Sequence, residues 1–558
     1  MFENSTTTVL PAHGDAEAYL LRSRVLSAAA LGLALHHLVF RKGEWHMQAP
    51  ALFALWALSY PILAAVEVFL GAESTSAGLK NALLIEGGFA ASLFTSIAVY
   101  RVFFHRLRGF SGPPLAKVSK LWHSVQCVGG QNHLVLERLR QQYGDFVRTG
   151  PSEITIFTPE AMVQLDGIGN KNTKPAFYDF LHPNIGIENI RDRPFHDERR
   201  RIWTQAFSSK ALPAYERMVA EQAVELEKLI ASVAERDAYV PFSRWVYWFQ
   251  FDVMGLFTLS RSFGMMQNEK WHDRIAGLRN AMSVLGIFAP VPWLAQVGFF
   301  YLKHVWAVRD WHRFRFWCED QVKQQIKIND ESTCVTSFFI ADAIKRDALE
   351  ADFKVLAGDT ITSVVAGSDT VGFTMTCLFW ELASNPQHIE MIYEEVKDVD
   401  YEDRKTLEQL PHLNACINET LRLHPAVPTG GCRDTPPEGA TISGRFIPGN
   451  ITVCVPRYSV FRSEKCYEQP NSFIPERWYS KPELIKDNRA FMPFAQGRYS
   501  CLGKSLALTE LRTVTALLVS KYRFEFVQDY KPAQFELGVK DQFTAAPGEL
   551  PLKFVKRN

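Results

Sequence analysis

The chain lacks the features that several common architectures require. None of its nine cysteines forms a C-x-x-C pair and their spacing is irregular, which argues against a zinc site or a disulfide framework. All nine are therefore read as scattered free thiols of a body that faces a reducing compartment. Neither sign of charge dominates: 61 Lys and Arg stand against 60 Asp and Glu, a net charge of +1, so nothing electrostatic favours a nucleic-acid partner. There is no internal repeat, no low-complexity segment and no glycine fingerprint for a flavin or nicotinamide nucleotide. A cleaved signal peptide is also disfavoured, because no small-residue cleavage site precedes a soluble region.

Apolar residues, by contrast, are plentiful, at 47% of 558 positions. Three apolar stretches come first. Residues 25–40 are short and carry His36 and His37; 49–70 contain one acid, Glu67; 82–104 are interrupted by Glu86 and Arg101. A membrane-spanning helix needs about 20 mostly apolar residues, so the second and third fit and the first is marginal. Arg41 and Lys42 follow the first stretch, and Arg101, Arg106, Arg108, Lys117 and Lys120 cluster at the end of the third, while the loop between the second and third holds only Glu73 and Lys80. Basic flanks stay on the cytosolic side. Three spans then place the N-terminus in the lumen of the endoplasmic reticulum and the main domain in the cytosol. Asn4-Ser5-Thr6 becomes a lumenal glycosylation acceptor in that arrangement. If the first stretch does not insert, the N-terminus is cytosolic. Ser111-Gly112-Pro113-Pro114 ends this region as a stiff exit, which divides the chain into a membrane region, 1–110, and one large body, 111–558.

That body reads as mainly helical with small strand patches. Residues 146–157 alternate like a hairpin about Gly150-Pro151, and 441–447 and 450–456 are further strand candidates. Helical periodicity covers 216–235, 353–383 and 506–522. Just before the last of these stands Phe494-Ala-Gln-Gly497-Arg498-Tyr499-Ser500-Cys501-Leu502-Gly503. A lone cysteine is more often a buried small hydrophobe. Here Gly497 permits a tight turn, Gly503 leaves room for a flat cofactor, and a helix N-terminus favours an anionic sulfur.

Three other motifs accompany it. Ala366-Gly367-Ser368-Asp369-Thr370 places four poor helix formers inside an apolar helix, where an acid beside an alcohol suits proton relay. A solvated notch is the plain alternative. Glu419 and Arg422, three residues apart on one helix face, sit in apolar context and want a further buried partner; Arg477, in Pro475-Glu476-Arg477-Trp478, is the candidate. His196, Arg200 and Arg433 offer positive or hydrogen-bonding groups for a cofactor's carboxylates, while Arg199 and Arg201 read as a solvated face.

Together these motifs resemble the cytochrome P-450 family across residues 112–550 and in its chain order, with a likeness to membrane-anchored fungal biosynthetic members. The cysteine loop is similar to the family's F-x-x-G-x-R-x-C-x-G at Phe494, Gly497, Cys501 and Gly503. It departs at the usual arginine, where Tyr499 stands, leaving Arg498 or Tyr499 to make that haem-propionate contact. The family's W-x-x-x-R reads here as His196-x-x-x-Arg200. The resemblance implies a triangular, mainly α haem-thiolate body with small β-sheets behind N-terminal transmembrane helices. Haem would be ligated by Cys501 and contacted by Phe494, Gly497, Arg498, Gly503, His196, Arg200 and Arg433. Asp369 and Thr370 would deliver protons, and Glu419, Arg422 and Arg477 would form a folding core.

The implied reaction inserts one atom of O₂ into a lipophilic molecule, a terpenoid or other secondary metabolite. Electrons would come from a separate NADPH-cytochrome P-450 reductase, with cytochrome b5 as a possible second donor, docking near Lys504 and Arg512. Substrate contacts fall on Phe177, Tyr178, Val427, Thr429 and Phe543, and 287–294 are a candidate bilayer-dipping entrance. Two alternatives stay open: a haem-thiolate isomerase or dehydratase, and a non-catalytic membrane haem carrier. Neither needs Asp369 and Thr370.

Overall fold

The computed structural model describes residues 13–70, 74–208, 210–328 and 334–557. Asn4, with its expected glycosylation, lies outside them. The chain forms two compact units, one of residues 1–109 with Trp293–Tyr301, the other of Phe110–Pro292 with Leu302–Asn558.

The first unit holds three helices long and apolar enough to cross a membrane: Glu17–Phe40, Ala49–Phe69 and Thr75–Phe104, of 24, 21 and 30 residues. The first is therefore not marginal. Its apolar run is broken in the sequence by Arg22 and Arg24, but the helix continues through them. Arg24 Nη1 lies 2.6 Å from Glu67 Oε1, and Glu67 is buried. A charge inside an apolar bundle needs such a partner. His36 Nδ1 lies 2.7 Å from Ser96 Oγ. The segment Trp293–Tyr301 joins this unit through Tyr301, whose hydroxyl donates to the Pro50 carbonyl at 2.9 Å and whose ring packs on Phe53.

The second unit is built around the 32-residue helix Phe353–Ser384. Helix Phe242–Leu259, buried on almost every face, packs along it. Phe242, Phe379, Phe524 and Phe554 stack in series where these helices meet the sheet of Val240–Pro241, Pro551–Lys556 and Tyr522–Phe526. Gly358 allows a second close approach, since a Cβ there would strike the backbone of Ile185 and Gly186. The hairpin of Phe146–Gly150 and Glu153–Ile156 forms as the sequence pattern predicts, and Thr452–Cys454 adds in parallel beside it.

Two expectations are corrected here. Cys432 and Cys454 are not free thiols but a disulfide. Arg433 pairs with Val453 in antiparallel register, so the preceding and following residues stand opposite each other, where closely facing Cα atoms bring side chains together. Arg199 is not on a solvated face. It is buried and ion-paired with Asp359 of the central helix, its Nε 3.1 Å from Oδ2. Asp359 also accepts the Ile187 N–H at 2.7 Å. Arg201 is exposed.

Glu419 is the most heavily used carboxylate of the core. Fully buried, it accepts from Arg422 Nε and Nη2 at 2.9 and 2.7 Å, from Arg477 Nε at 2.9 Å, from Trp478 Nε1 at 3.0 Å and from the Ile474 N–H at 3.0 Å. Five donors on one carboxylate offset the cost of removing three charges from water. Glu419→Ala leaves two guanidinium ions buried without it and is expected to cost about 3–5 kcal/mol. The measurement is the yield and thermal midpoint of the purified protein; a midpoint equal to wild type would contradict this account.

Candidate active site

The cysteine loop closes on itself, with the Cys501 N–H donating to the Phe494 carbonyl at 2.9 Å. Gly497 takes φ +62°, and a Cβ there would collide with the Asp166 carbonyl, so the turn requires glycine. Gly503 caps helix Lys504–Lys521, and a Cβ on it would approach only Cys501 Sγ, at 3.9 Å. The Gly503 and Lys504 N–H groups bond toward the Cys501 sulfur and favour its anionic form. Cys501 is also distinguished by access. It is exposed, whereas Cys127, Cys318, Cys334, Cys377, Cys416 and Cys466 are buried.

The central helix packs against the helix that follows Cys501. Midway along it, Thr362, Ala366 and Thr370 form an i, i+4 row that is not buried, with Ala366 exposed. Thr370 Oγ1 donates to the Ala366 carbonyl at 2.7 Å, which keeps the hydroxyl oxygen free to accept. Asp369 lies one residue further round the helix. It is buried, and Thr544 Oγ1 donates to its Oδ2 at 3.3 Å. Burial lifts its pKa to about 6, against the pull of Arg279.

A cluster of cationic and ring groups gathers around Tyr499. The Arg433 guanidinium lies 4.2 Å from its ring centre and Lys174 Nζ 5.0 Å, with the His196 ring 5.0 Å away. Arg433 is paired with Asp166 at 2.9 Å. Lys174 donates to the Ile187 and Glu188 carbonyls at 3.0 and 2.6 Å, and burial lowers its pKa to about 8. Burial, helped by Lys174, takes His196 down to about 4, so it is a neutral donor at pH 7. Arg200 holds the loop itself, donating to the Ser500 carbonyl at 2.9 Å and to Ser500 Oγ at 2.7 Å. Arg498 is ion-paired with Asp197. The Tyr499 hydroxyl is buried without a hydrogen-bond partner. These donors suit an anionic group, and with an accessible thiol in a glycine loop the donor set fits haem.

Lys174 escaped sequence reasoning because nothing in Asn172-Thr173-Lys174-Pro175 separates it from a surface lysine. Asp541 escaped it too. It lies with Phe177, Tyr178, Thr429, Phe543 and His123 around a cavity of about 310 Å³. Val427 packs instead where a Cβ on Gly430 would fall. A polar chain crosses the cavity wall. His123 Nε2 lies 2.7 Å from Asn132 Oδ1, Asn132 Nδ2 donates to Thr429 Oγ1 at 3.1 Å, and Thr429 Oγ1 donates to Asp541 Oδ2 at 2.6 Å. Lys504 is exposed, whereas Arg512 is mostly buried and engaged by Asn414 at 2.7 Å and Glu408 at 3.3 Å.

Fold and site define a haem-thiolate class. The family model for cytochrome P-450 matches residues 112–554. Tryprostatin B 6-hydroxylase of Neosartorya fischeri is 31% identical over 554 residues, covering 95% of this chain and 98% of its own. Cytochrome P-450 monooxygenase sthD of Phaeosphaeria nodorum is 36% identical over 485 residues, covering 84% and 98%. Among solved structures, the cytochrome P-450DA haem domain matches with a TM-score of 0.66 at 18% identity, over 80% of this chain and 98% of that one. The chain belongs to the cytochrome P-450 family and is a haem-dependent monooxygenase.

The Asp369 carboxyl provides a pH test. Its folded pKa of about 6 lies above the ordinary carboxylate value, so the native state binds the extra proton and loses stability as pH rises through 6. Asp369→Asn removes that penalty. We expect its thermal midpoint to exceed wild type at pH 7.5 and the gap to narrow towards pH 5. A gap that is constant with pH would contradict the assignment.

Proposed function

We propose that this chain is a membrane-anchored monooxygenase that oxidises a lipophilic secondary metabolite, a terpenoid or a molecule of similar apolarity, with Phe177, Tyr178, Thr429 and Phe543 among its substrate contacts. The observation that carries this reading is the Cys501 loop, an accessible thiol held by backbone N–H groups at a helix start. In this reading the Cys501 sulfur would hold haem iron, and Phe494, Gly497 and Gly503 would shape its seat. His196, Arg200, Arg433 and Lys174 receive the propionates, with the Tyr499 hydroxyl in the place of the usual arginine. Arg498, neutralised by Asp197, steadies the loop from outside. When bound, thiolate-ligated haem supplies cleavage of the O–O bond and oxidation of the substrate.

The residues of the chain supply the rest. Asp369, buried with a raised pKa, can hold a proton near neutral pH and pass it inward. The Thr370 hydroxyl, anchored through its own proton, accepts in the open row at Ala366. The aromatic wall excludes water and orients an apolar substrate. Electrons come from a membrane-bound NADPH-cytochrome P-450 reductase, cytochrome b5 being a second candidate, with Lys504 on the docking face. Support for a secondary metabolite comes from the likeness, along nearly the whole chain, to an enzyme named for hydroxylating tryprostatin B. Three spanning helices put the N-terminus in the lumen of the endoplasmic reticulum and the catalytic body in the cytosol. Glycosylation at Asn4, read as a mobility shift on glycosidase treatment, tests that orientation.

Two measurements test the chemistry. Reduced protein with carbon monoxide should show the red-shifted Soret band of thiolate ligation, and Cys501→Ala should abolish it; persistence of the band would sink the reading. Thr370→Ala, with reductase supplied, should keep consuming NADPH while product falls about 10²-fold or more, the range for lost acid–base assistance. Unchanged coupling would remove Thr370 from proton delivery. Lipophilic compounds that shift the haem spin state identify the substrate class.

A further inference from the structure

Outside the haem region, helix Pro386–Val396 and helix Pro411–Leu423 bring His388, His412 and Cys416 together in the core. All three are buried, at 4%, 3% and 0% exposure. One ligand atom from each lies within 4.8 Å of the others. His388 Nδ1 and His412 Nε2 are 3.1 Å apart. Two nitrogens on one tetrahedral zinc, each about 2.0–2.1 Å from the metal, stand about 3.3 Å apart. His412 and Cys416 are four residues apart on one helix, the spacing that aims two side chains at one point.

The surroundings are those of a metal centre. The other nitrogen of His412, Nδ1, lies 3.1 Å from the Tyr479 hydroxyl, the kind of outer contact that fixes a ligand imidazole's tautomer. The Glu476 carboxylate acts electrostatically on all three groups. With a Cys416 thiolate it balances a divalent cation. Phe473 covers the His388 ring edge-on at 5.5 Å. Imidazole and thiolate together select zinc over calcium or magnesium.

We propose that His388 Nδ1, His412 Nε2 and Cys416 Sγ form a structural Zn²⁺ site, with the fourth position filled by water. Binding moves the His388 proton to Nε2, leaves His412 with its Nδ1–H towards Tyr479 and releases the Cys416 thiol proton, one proton per zinc. The metal ties together helices Pro386–Val396 and Pro411–Leu423.

The test uses the haem-loaded full chain, incubated with zinc and desalted, with iron and zinc counted by mass spectrometry. We expect about one zinc per haem, and zinc-edge absorption fitted by two nitrogens near 2.1 Å and one sulfur near 2.3 Å, the usual bond lengths being about these values. His388→Gln and Cys416→Ser each should weaken zinc retention by at least the about 10–100-fold that outer-contact changes alone cause, with haem content kept. Haem content shows that each variant is folded. Wild type with less than about a tenth of a zinc per haem, or zinc equal in wild type and both haem-loaded variants, overturns the proposal.

Discussion

A buried carboxylate with five donors can be satisfied in only one arrangement of the segments that supply them. Glu419 draws its donors from its own helix, from Ile474 and from the turn Pro475–Trp478. Arg422 then reaches on to the Phe461 carbonyl at 2.9 Å. Trp478 packs on Phe491 with ring centres 4.4 Å apart, three residues before Phe494. The position of the cysteine loop therefore follows from a hydrogen-bond count: moving the loop displaces Trp478 or Phe491 and strands a charge. Irregular chain, which has few ladder hydrogen bonds of its own, gains rigidity this way.

A similar logic governs the groups around Tyr499. Lys174 and Arg433 come from two separate segments and His196 and Arg200 from a third, the helix Arg193–Ala206, and like charges so close oppose one another. Asp166 neutralises Arg433, the Ile187 and Glu188 carbonyls take Lys174, and burial keeps His196 neutral. Substituting Tyr499 for the arginine usual at that place of the motif removes one positive charge from this crowd and supplies a ring against which Arg433 and Lys174 rest. Lys174, contributed from more than 300 residues away in the chain, places a positive charge beside that ring.

Local signals were legible and long-range ones were not. Periodicity placed the helices at 353–384 and 504–521 to within a few residues because both are long and amphipathic or apolar throughout. Glu419, Arg422 and Arg477 could be grouped because charge in apolar context demands partners. Arg199 could not be told from its exposed neighbour Arg201, since its partner Asp359 is 160 residues away. The Cys432–Cys454 pairing depends on the register of two short strands, which nothing in either segment specifies alone. The first apolar helix looked short because Arg24 breaks the hydropathy pattern, and only the partner Glu67 makes that arginine compatible with a longer helix.

Asp369 and Thr370 show how one helix presents neighbouring side chains to different surroundings. A relay needs a polar group in an apolar wall, and the wall penalises that group. The helix resolves the conflict by angle. Thr370 stands in the open row with Thr362 and Ala366, while Asp369, about a quarter turn away, is buried against Thr544 and within the influence of Arg279. The carboxyl is therefore kept near its proton-exchange point by burial, with one weak donor and one cation tempering the penalty. Strengthening either contact would favour the ionised form and lower the pKa, so the long 3.3 Å bond from Thr544 is part of why the carboxyl stays raised.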